Sequence, residues 1–95
     1  MILHIGDNKY ILQEEIIIIL DRKSADGSKK TREFINRLIE DNCLVGELNS
    51  YTKSYIFVNT NNKTIIYTSK ISSKTLSNRG SYKELFRMEA IKWSK

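Results

Sequence analysis

The residues best suited to chemistry lie in one stretch, Ser69–Arg79, with the sequence SKISSKTLSNR. It contains five hydroxyl side chains and three cations, Lys70, Lys74 and Arg79, around two isolated apolar residues. Lysine, arginine, hydroxyl groups and free backbone N–H groups all donate hydrogen bonds to phosphate oxygens. Because the cations recur at intervals of four and five residues, they could line one ridge of a turn followed by a short helix. Such a ridge suits phosphate oxygens.

The same stretch also has a structural interpretation. Ser72 or Ser73 can cap a short helical turn. Thr75 and Ser77 can bond to nearby backbone groups. The planar guanidinium of Arg79 could hold two helical pieces together through a carboxylate or carbonyl groups. The spacing alone leaves phosphate contact and a structural turn open as alternatives.

Residues that could support catalysis are few and do not converge. Glu14 and Glu15 are adjacent, and neighbouring side chains of a strand point to opposite faces, so these carboxylates could not share a proton. A single histidine, His4, and a single cysteine, Cys43, are too little for a nucleophile–base pair or a zinc site. The glycines are scattered and form no phosphate-binding loop. We therefore expect no enzyme activity, cofactor, metal or small-molecule substrate.

The charge of the chain is distributed unevenly. The net charge is +5 at pH 7, but residues 1–21 hold four acids against one lysine. Residues 51–95 hold nine cations against two acids, a balance of +7. This asymmetry favours an anionic partner for the C-terminal half, with nucleic acid first and an anionic membrane surface second. A basic surface without any partner is the alternative.

The apolar segments predict no membrane span. The run Ile16–Leu20 is five residues long and flanked by acids, which is too short for a span or a signal peptide. One cysteine excludes an intramolecular disulfide and fits a reducing compartment. We expect a cytoplasmic protein with no membrane partner.

The elements that position these residues follow from hydrophobic periodicity, and the lack of proline and repeats predicts one domain over residues 1–95. A strand ILHI, a turn GDN and a return strand YIL come first. The run EEIIIILD is typical of a strand buried on both faces or at an interface. RKSADGSKK is predicted to be an exposed polar loop, followed by a central helix from about Thr31 to Asn42.

The C-terminal half predicts a hairpin and a helix. SYIFVN and KTIIYTS flank TNN, which is typical of a β-hairpin. From Ser81 onward apolar residues recur at helical spacing. The predicted fold class is thus a small α+β domain with N-terminal strands, one central helix, a β-hairpin and a C-terminal helix. The isoleucine run and the last helix offer more apolar surface than so small a sheet should cover, so we expect a homo-oligomer assembled through them.

Several segments together resemble the RemA/RemB family of bacterial extracellular matrix regulators, and its RemB branch more closely. They are LHIGD at Leu3–Asp7, IIIILD ending at Asp21, the helix containing EFI, and SKISSKTLSNR. The resemblance covers most of residues 1–80. It implies a DNA-binding transcriptional regulator of biofilm-matrix genes, with an α/β fold that assembles into a ring-like homo-oligomer. The residues at family positions in the last motif are Ser69, Ile71, Thr75, Leu76 and Arg79.

The chain departs from the family pattern at the DNA contacts. In the RemA branch a paired arginine just before the first hairpin strand contacts DNA. The matching positions here are Tyr51 and Thr52, with Lys53 next to them. A further family arginine falls near Glu14 and Glu15. The resemblance therefore implies the fold and the assembly more strongly than it implies the DNA contact.

The function predicted from the sequence is a homo-oligomeric transcriptional regulator that binds double-stranded DNA mainly through phosphates. Each protomer would supply a few weak contacts, which assembly multiplies through effective concentration. The alternative is an oligomeric protein-interaction module that binds DNA weakly or not at all. The predicted DNA-binding residues are Lys53, Lys70, Lys74 and Arg79.

Overall fold

The computed structural model describes residues 2–79, and these form an α+β fold, which confirms the predicted fold class. In chain order, the elements are β1 (Ile2–His4), β2 (Tyr10–Leu12), a 3₁₀ helix (Gln13–Glu15), β3 (Ile16–Asp21), α1 (Arg22–Asp26), α2 (Lys29–Glu40), β4 (Leu44–Val45), β5 (Ser54–Thr60), β6 (Lys63–Ser69) and α3 (Ser73–Asn78). The C-terminal helix predicted from Ser81 onward lies outside the described residues. No helix in the described part of the chain is long and apolar enough to cross a membrane.

The strands β1 and β2 form an antiparallel hairpin with a tight turn. Gly6, Asp7 and Asn8 have φ angles of 95°, 50° and 60°. The N–H of Lys9 closes the turn by donating to the carbonyl of Gly6 at 2.9 Å. Glycine, asparagine and aspartate adopt positive φ more readily than other residues, so the GDN sequence suits this turn. The predicted strand, turn and return strand are confirmed.

Glu14 and Glu15 lie in the 3₁₀ helix and not in a strand. This short helix connects the two-stranded sheet of β1 and β2 to β3 in the second sheet. A tight helical turn suits a connection in which the chain leaves one sheet and enters another. The strand predicted from EEIIIILD therefore starts at Ile16, and the prediction for the two glutamates is wrong.

The second sheet has four strands in the order β3-β5-β6-β4. β4 runs parallel to β6, and the other two pairs are antiparallel. The β1–β2 hairpin and α3 contribute to the apolar cluster on one face, while α1 and α2 contribute to the cluster on the other. The sheet is therefore the middle layer of three, and both of its faces are covered by elements of the same chain.

The isoleucine run of β3 is buried on both faces, as one of the two predicted alternatives states. Ile16 and Ile19 join the cluster formed with β1, β2 and α3. Ile18 and Leu20 join the cluster formed with α1 and α2. A bulge between Ile16 and Ile18 lets Ile17 pack towards the same helices. The expectation that this run remains exposed for assembly is wrong, because distant elements of the chain cover it.

The segment after β3 is a helix and not the predicted exposed loop. The Asp21 carboxylate caps α1 by accepting a hydrogen bond from the N–H of Ser24 at 3.1 Å. The N–H of Arg22 donates to the carbonyl of Lys53 at 2.9 Å. The first contact starts the helix, and the second holds its first residue beside the start of β5. The prediction of one helix before the hairpin is therefore corrected to two, α1 and α2.

The central helix and the hairpin are confirmed with small shifts at their ends. α2 begins at Lys29 instead of Thr31, and its cap is the Ser28 hydroxyl, which accepts from the N–H of Thr31 at 3.3 Å. The hairpin of β5 and β6 turns at Asn61 and Asn62, with φ angles of 53° and 62°. Two consecutive positive φ angles are the requirement of a tight hairpin turn, and asparagine meets it well.

Candidate nucleic-acid interface

The hairpin brings two of the predicted lysines together at its open end. Ser54 and Ser69 form the last residue pair of β5 and β6. Lys53 precedes that pair, and its N–H donates to the carbonyl of Ser69 at 2.8 Å. Lys70 follows the pair directly. Both side chains are exposed, so residues distant in sequence become neighbours at one end of the sheet.

A third predicted lysine lies on α3, close to the same end. The Ser72 hydroxyl caps this helix by accepting from the N–H of Thr75 at 3.2 Å, and the two hydroxyl oxygens lie 2.9 Å apart. Lys74 follows in the first helical turn and is exposed. The capping role expected for Ser72 or Ser73 is thus filled by Ser72.

Two hydroxyl groups at the open end of the hairpin, those of Ser54 and Ser69, have structural partners. The Ser69 hydroxyl donates to the carbonyl of Ile5 at 2.7 Å and accepts from the N–H of Ile71 at 3.0 Å. The Ser54 hydroxyl donates to the carbonyl of Ile71 at 2.7 Å. Ser77 is buried. The hydroxyls of Ser54 and Ser69 fix the chain between β6 and α3. The exposed lysines are therefore the charged donors that the stretch offers to a phosphate.

Arg79 lies apart from the three lysines, at the other end of α3. Its Nη1 donates to the carbonyl oxygen of His4 at 3.0 Å. This contact to a backbone carbonyl joins the end of α3 to the strand β1, whereas the structural alternative expected the guanidinium to join two helical pieces. One nitrogen of the Arg79 guanidinium is therefore already used in a hydrogen bond to the backbone.

Lys53 lines a cleft of about 620 Å³, which we call the lysine cleft. Its walls come from the start of α1, the segment before β5 and the cap of α3. Lys23 is a second exposed lysine in this cleft. The lining residues of this cleft include Asp21, Arg22, Lys23, Asp26, Lys53 and Ser72.

Lys23 is absent from the predicted site residues because its segment is predicted to be a loop. The sequence does contain a signal for a helix here, because Asp21 lies three residues before Ser24, which is a helix-capping pattern.

Arg22 stabilises the wall of the lysine cleft. Its Nε lies 3.1 Å from Asp26 Oδ2, and its Nη1 donates to the carbonyl oxygens of Asn49 and Thr52. Arginine suits this role because its planar fork can bind several oxygens at once. The guanidinium thus holds the 49–52 segment beside α1, and its charge is partly neutralised.

The acids of the lysine cleft are also engaged. Asp21 caps α1, and Asp26 pairs with Arg22 and accepts from the Tyr55 hydroxyl at 3.1 Å. Burial raises the pKa of Tyr55 to about 12, with a further contribution from the charge of Asp26. Within residues 2–79, neither lysine of the cleft, Lys23 nor Lys53, has an ion-pair partner. Their charges are available to a ligand.

Lys70 has a different environment. Its Nζ lies 3.6 Å from Asp7 Oδ1, and both side chains are more than half exposed. An exposed pair of this kind contributes little to stability, yet it lowers the positive charge that Lys70 presents. Of the predicted lysines, Lys53 and Lys74 therefore have the freer charges among the described residues.

The two positions that match the family's paired arginine have unlike environments. Thr52 is buried; its hydroxyl donates to the carbonyl of Glu47 and accepts from the N–H of Asn49, both at 3.1 Å. Tyr51 is 70% exposed. Thr52 therefore organises the loop before β5, while Tyr51 faces solvent beside Lys53.

Neither a search of protein-family models nor a search of curated proteins finds a match for this chain. In the described range, residues 2–79, no group of three or more His, Cys, Asp and Glu side chains could hold a metal ion. The fold and the site define a small α+β protein with a lysine-lined cleft at the open end of a hairpin.

Proposed function

We propose that this protein binds double-stranded DNA through its phosphates and acts as a homo-oligomeric transcriptional regulator of extracellular matrix genes. The observation that supports DNA binding is the lysine cleft, where Lys23 and Lys53 lie together without an ion-pair partner among residues 2–79. Lys74 adds a third exposed cation close to the Ser72 wall of this cleft. The resemblance of the SKISSKTLSNR stretch to the RemA/RemB family supplies the proposed regulatory role.

The contacts expected in this cleft are sequence-independent. Lysine binds a phosphate as a point charge, so its contribution to affinity does not depend on the neighbouring base. Lys70 adds a weaker contact because Asp7 competes for its ammonium group. Arg79 supports the interface by holding α3 against β1. Few contacts per protomer predict weak binding by one subunit.

Assembly would multiply these contacts, and the outer face of the β1–β2 hairpin is the surface we propose for it. Ile2 pairs with Leu12 and His4 pairs with Tyr10, so these four side chains share one face, while Leu3 and Ile11 point to the core. Ile2, Tyr10 and Leu12 are 60%, 62% and 46% exposed. We call these four residues the hairpin face. A second copy of the chain is its proposed partner, since contiguous exposed apolar side chains mark interaction surfaces.

A protein-interaction module is the second candidate. It is favoured by the acids Asp21 and Asp26 in the lysine cleft and by Tyr51 and Thr52 at the family's arginine positions. In this function the hairpin face would still mediate assembly. The lysine cleft would then bind no nucleic acid.

The deciding experiment is fluorescence anisotropy of the full chain with a labelled duplex at several salt concentrations, combined with light scattering of the same sample. Phosphate binding predicts that the logarithm of affinity falls linearly with the logarithm of salt, by about 0.9 per phosphate neutralised. Duplexes of unrelated sequence should share most of this slope. A protein that assembles but shows no salt-dependent binding to any duplex would contradict DNA binding and favour the interaction module.

A further inference from the structure

A second cleft lies at the carboxyl ends of the two parallel strands. β4 ends at Val45 and β6 ends at Ser69, and these strands run in the same direction, with Val45 paired to Tyr67. The turn of the β1–β2 hairpin and the loop after β4 supply further walls. The carboxyl ends of parallel strands are where loops diverge and leave room for a ligand. We call this space, of about 250 Å³, the polar cleft.

The Thr68 hydroxyl supplies an unused polar group in this cleft. Thr68 is only 8% exposed and lines the cleft, yet its hydroxyl has no hydrogen-bond partner within residues 2–79. Because Thr68 lines the polar cleft, its hydroxyl can donate a hydrogen bond to a ligand there. It is not among the buried side-chain atoms left without a partner in the described residues, so it is open to the cleft. This group is independent of the lysine cleft.

Gly46 lies directly against Thr68, whose hydroxyl occupies the place that a side chain at residue 46 would take. Its φ angle is 105°, which a side chain would strain, and a Cβ there would overlap with Thr68 Oγ1. The same Cβ would lie 3.6 Å from the Nζ of Lys9. The hydroxyl of Thr68 and the ammonium of Lys9 therefore approach the same side of Gly46. These two donors lie close together and both line the polar cleft.

The charges of the polar cleft are balanced but not all paired. Asp7 and Lys70 form an ion pair with each other. Lys9 and Glu47 also line the cleft, and neither forms an ion pair with any residue in the described part of the chain. Glu47 accepts one hydrogen bond, from Asn49 Nδ2 at 3.4 Å. One ammonium group, one carboxylate and one hydroxyl are thus left for a ligand.

From this arrangement we propose that the polar cleft binds a small zwitterion, a free α-amino acid. Its carboxylate bonds to Lys9 and Thr68, and its ammonium group bonds to Glu47. Charge-assisted hydrogen bonds of both signs then neutralise the groups that the cleft leaves unpaired. The cleft is smaller than the pockets that hold drug-sized ligands, which limits the ligand to a small molecule. This ligand site goes beyond the proposed DNA binding.

The test uses the full chain and each of the twenty common amino acids, screened singly by thermal shift at millimolar concentration. Hits are titrated by calorimetry, and backbone amide signals of Lys9, Gly46 and Thr68 are followed by NMR. We expect saturable binding of at least one amino acid, with shifts at these amides. No saturable binding of any amino acid would overturn the proposal.

Matched variants locate the site. Thr68→Val removes the hydroxyl and keeps the shape, and Lys9→Met removes the charge. Each should weaken binding about tenfold or more, as expected for a hydrogen bond to a charged group. Lys63→Met, at the far end of the β5–β6 hairpin, is the control and should leave affinity unchanged. Unchanged affinity in both Thr68→Val and Lys9→Met would overturn the proposal.

Two further probes test the zwitterion and separate this site from DNA binding. Acetate and methylamine each carry one of the two charges, and neither should compete with the amino acid at equal concentration. If acetate alone or methylamine alone competed as strongly as a free amino acid does, recognition of a zwitterion would be contradicted. Thr68→Val should bind labelled duplex as the unaltered chain does, so the two proposals can fail separately.

Discussion

Arg79 and His4 are joined across almost the whole described chain, because Nη1 of Arg79 donates to the carbonyl oxygen of His4 at 3.0 Å. α3 is thereby fastened to β1 at its last turn. The same helix inserts Leu76, which is fully buried, into the cluster that contains Leu3 and Ile5. The end of the SKISSKTLSNR stretch therefore depends on the first strand for its position.

Replacing Arg79 by methionine should lower the stability of the folded chain. The variant loses the hydrogen bond to the His4 carbonyl while it keeps much of the apolar stem, so the expected cost is about 1 kcal/mol. Thermal denaturation by circular dichroism measures this effect. Lys74→Met is the matched control, since Lys74 is exposed and has no partner among the described residues. Equal melting temperatures for the two variants would show that the hydrogen bond from Arg79 to His4 contributes nothing.

Neutralising the lysine cleft should flatten the salt dependence of DNA binding. Lys23→Gln, Lys53→Gln and Lys74→Gln should each reduce the slope of log affinity against log salt by about one for every phosphate that the lysine neutralises, equally for unrelated duplexes. Lys70→Gln should have a smaller effect, because Asp7 already holds its ammonium group. Anisotropy at several salt concentrations measures each slope.

The control for this series is Lys63→Gln. Lys63 is also exposed, but it pairs with Thr60 at the opposite end of the hairpin from Lys53. Its replacement removes the same charge and should change the slope little. If Lys63→Gln flattened the slope as much as Lys53→Gln, net charge and not the lysine cleft would be responsible.

The hydroxyl of Tyr55 should make stability decline at alkaline pH. Burial holds the pKa of Tyr55 at about 12 in the folded chain, against 10.0 when unperturbed. Below pH 10 the hydroxyl of Tyr55 keeps its proton in both the folded and the unfolded chain. Its contribution to the free energy of unfolding is therefore fully present there. Between pH 10 and 12 the unfolded chain loses the proton more readily, and the free energy of unfolding falls as pH rises. Urea denaturation at stepped pH values measures this decline.

Tyr55→Phe is the comparison for the alkaline decline. It loses the hydrogen bond to Asp26, at a cost of about 1 kcal/mol near neutral pH. The gap in stability between the two proteins should then narrow as pH rises above 10, since the substituted chain has no proton to lose there. A gap that stays constant to pH 12 would contradict the raised pKa.

Charges placed on the hairpin face should dissociate the oligomer without unfolding the subunit. Tyr10→Glu and Leu12→Glu alter side chains that are 62% and 46% exposed, so one subunit should retain its secondary structure. Light scattering should report a smaller mass for these variants than for the unaltered chain. An unaltered chain that is already monomeric at micromolar concentration would rule out the proposed assembly.

A glutamate in the isoleucine run should act differently. Ile18 is 1% exposed and packs against α1 and α2, so Ile18→Glu would bury a charge without a partner. We expect this variant to lose its folded circular dichroism spectrum. A folded Ile18→Glu monomer would instead point to β3 as the subunit interface.

Locally encoded features could be read from the sequence. The asparagines of the TNN turn, the Ser72 cap of α3 and the GDN turn each depend on residues within a few positions of one another. Their backbone angles and hydrogen bonds follow from the residue types present, so sequence patterns predicted them correctly. For β3 the sequence indicated only that the run is not solvated, because a continuous β-branched run is typical of burial either on both faces or at an interface.

Tertiary structure decided which surfaces of the chain are covered and which are exposed. Whether an isoleucine run remains open depends on elements far along the chain, and here α1, α2, α3 and the first hairpin cover it. Three pairs of residues also come together only through tertiary structure. They are Lys23 and Lys53 in the lysine cleft, Arg79 bonded to the carbonyl of His4, and Thr68 packed against Gly46. Local sequence does not encode these pairings, because side chains remote in sequence become neighbours only when the three layers pack together.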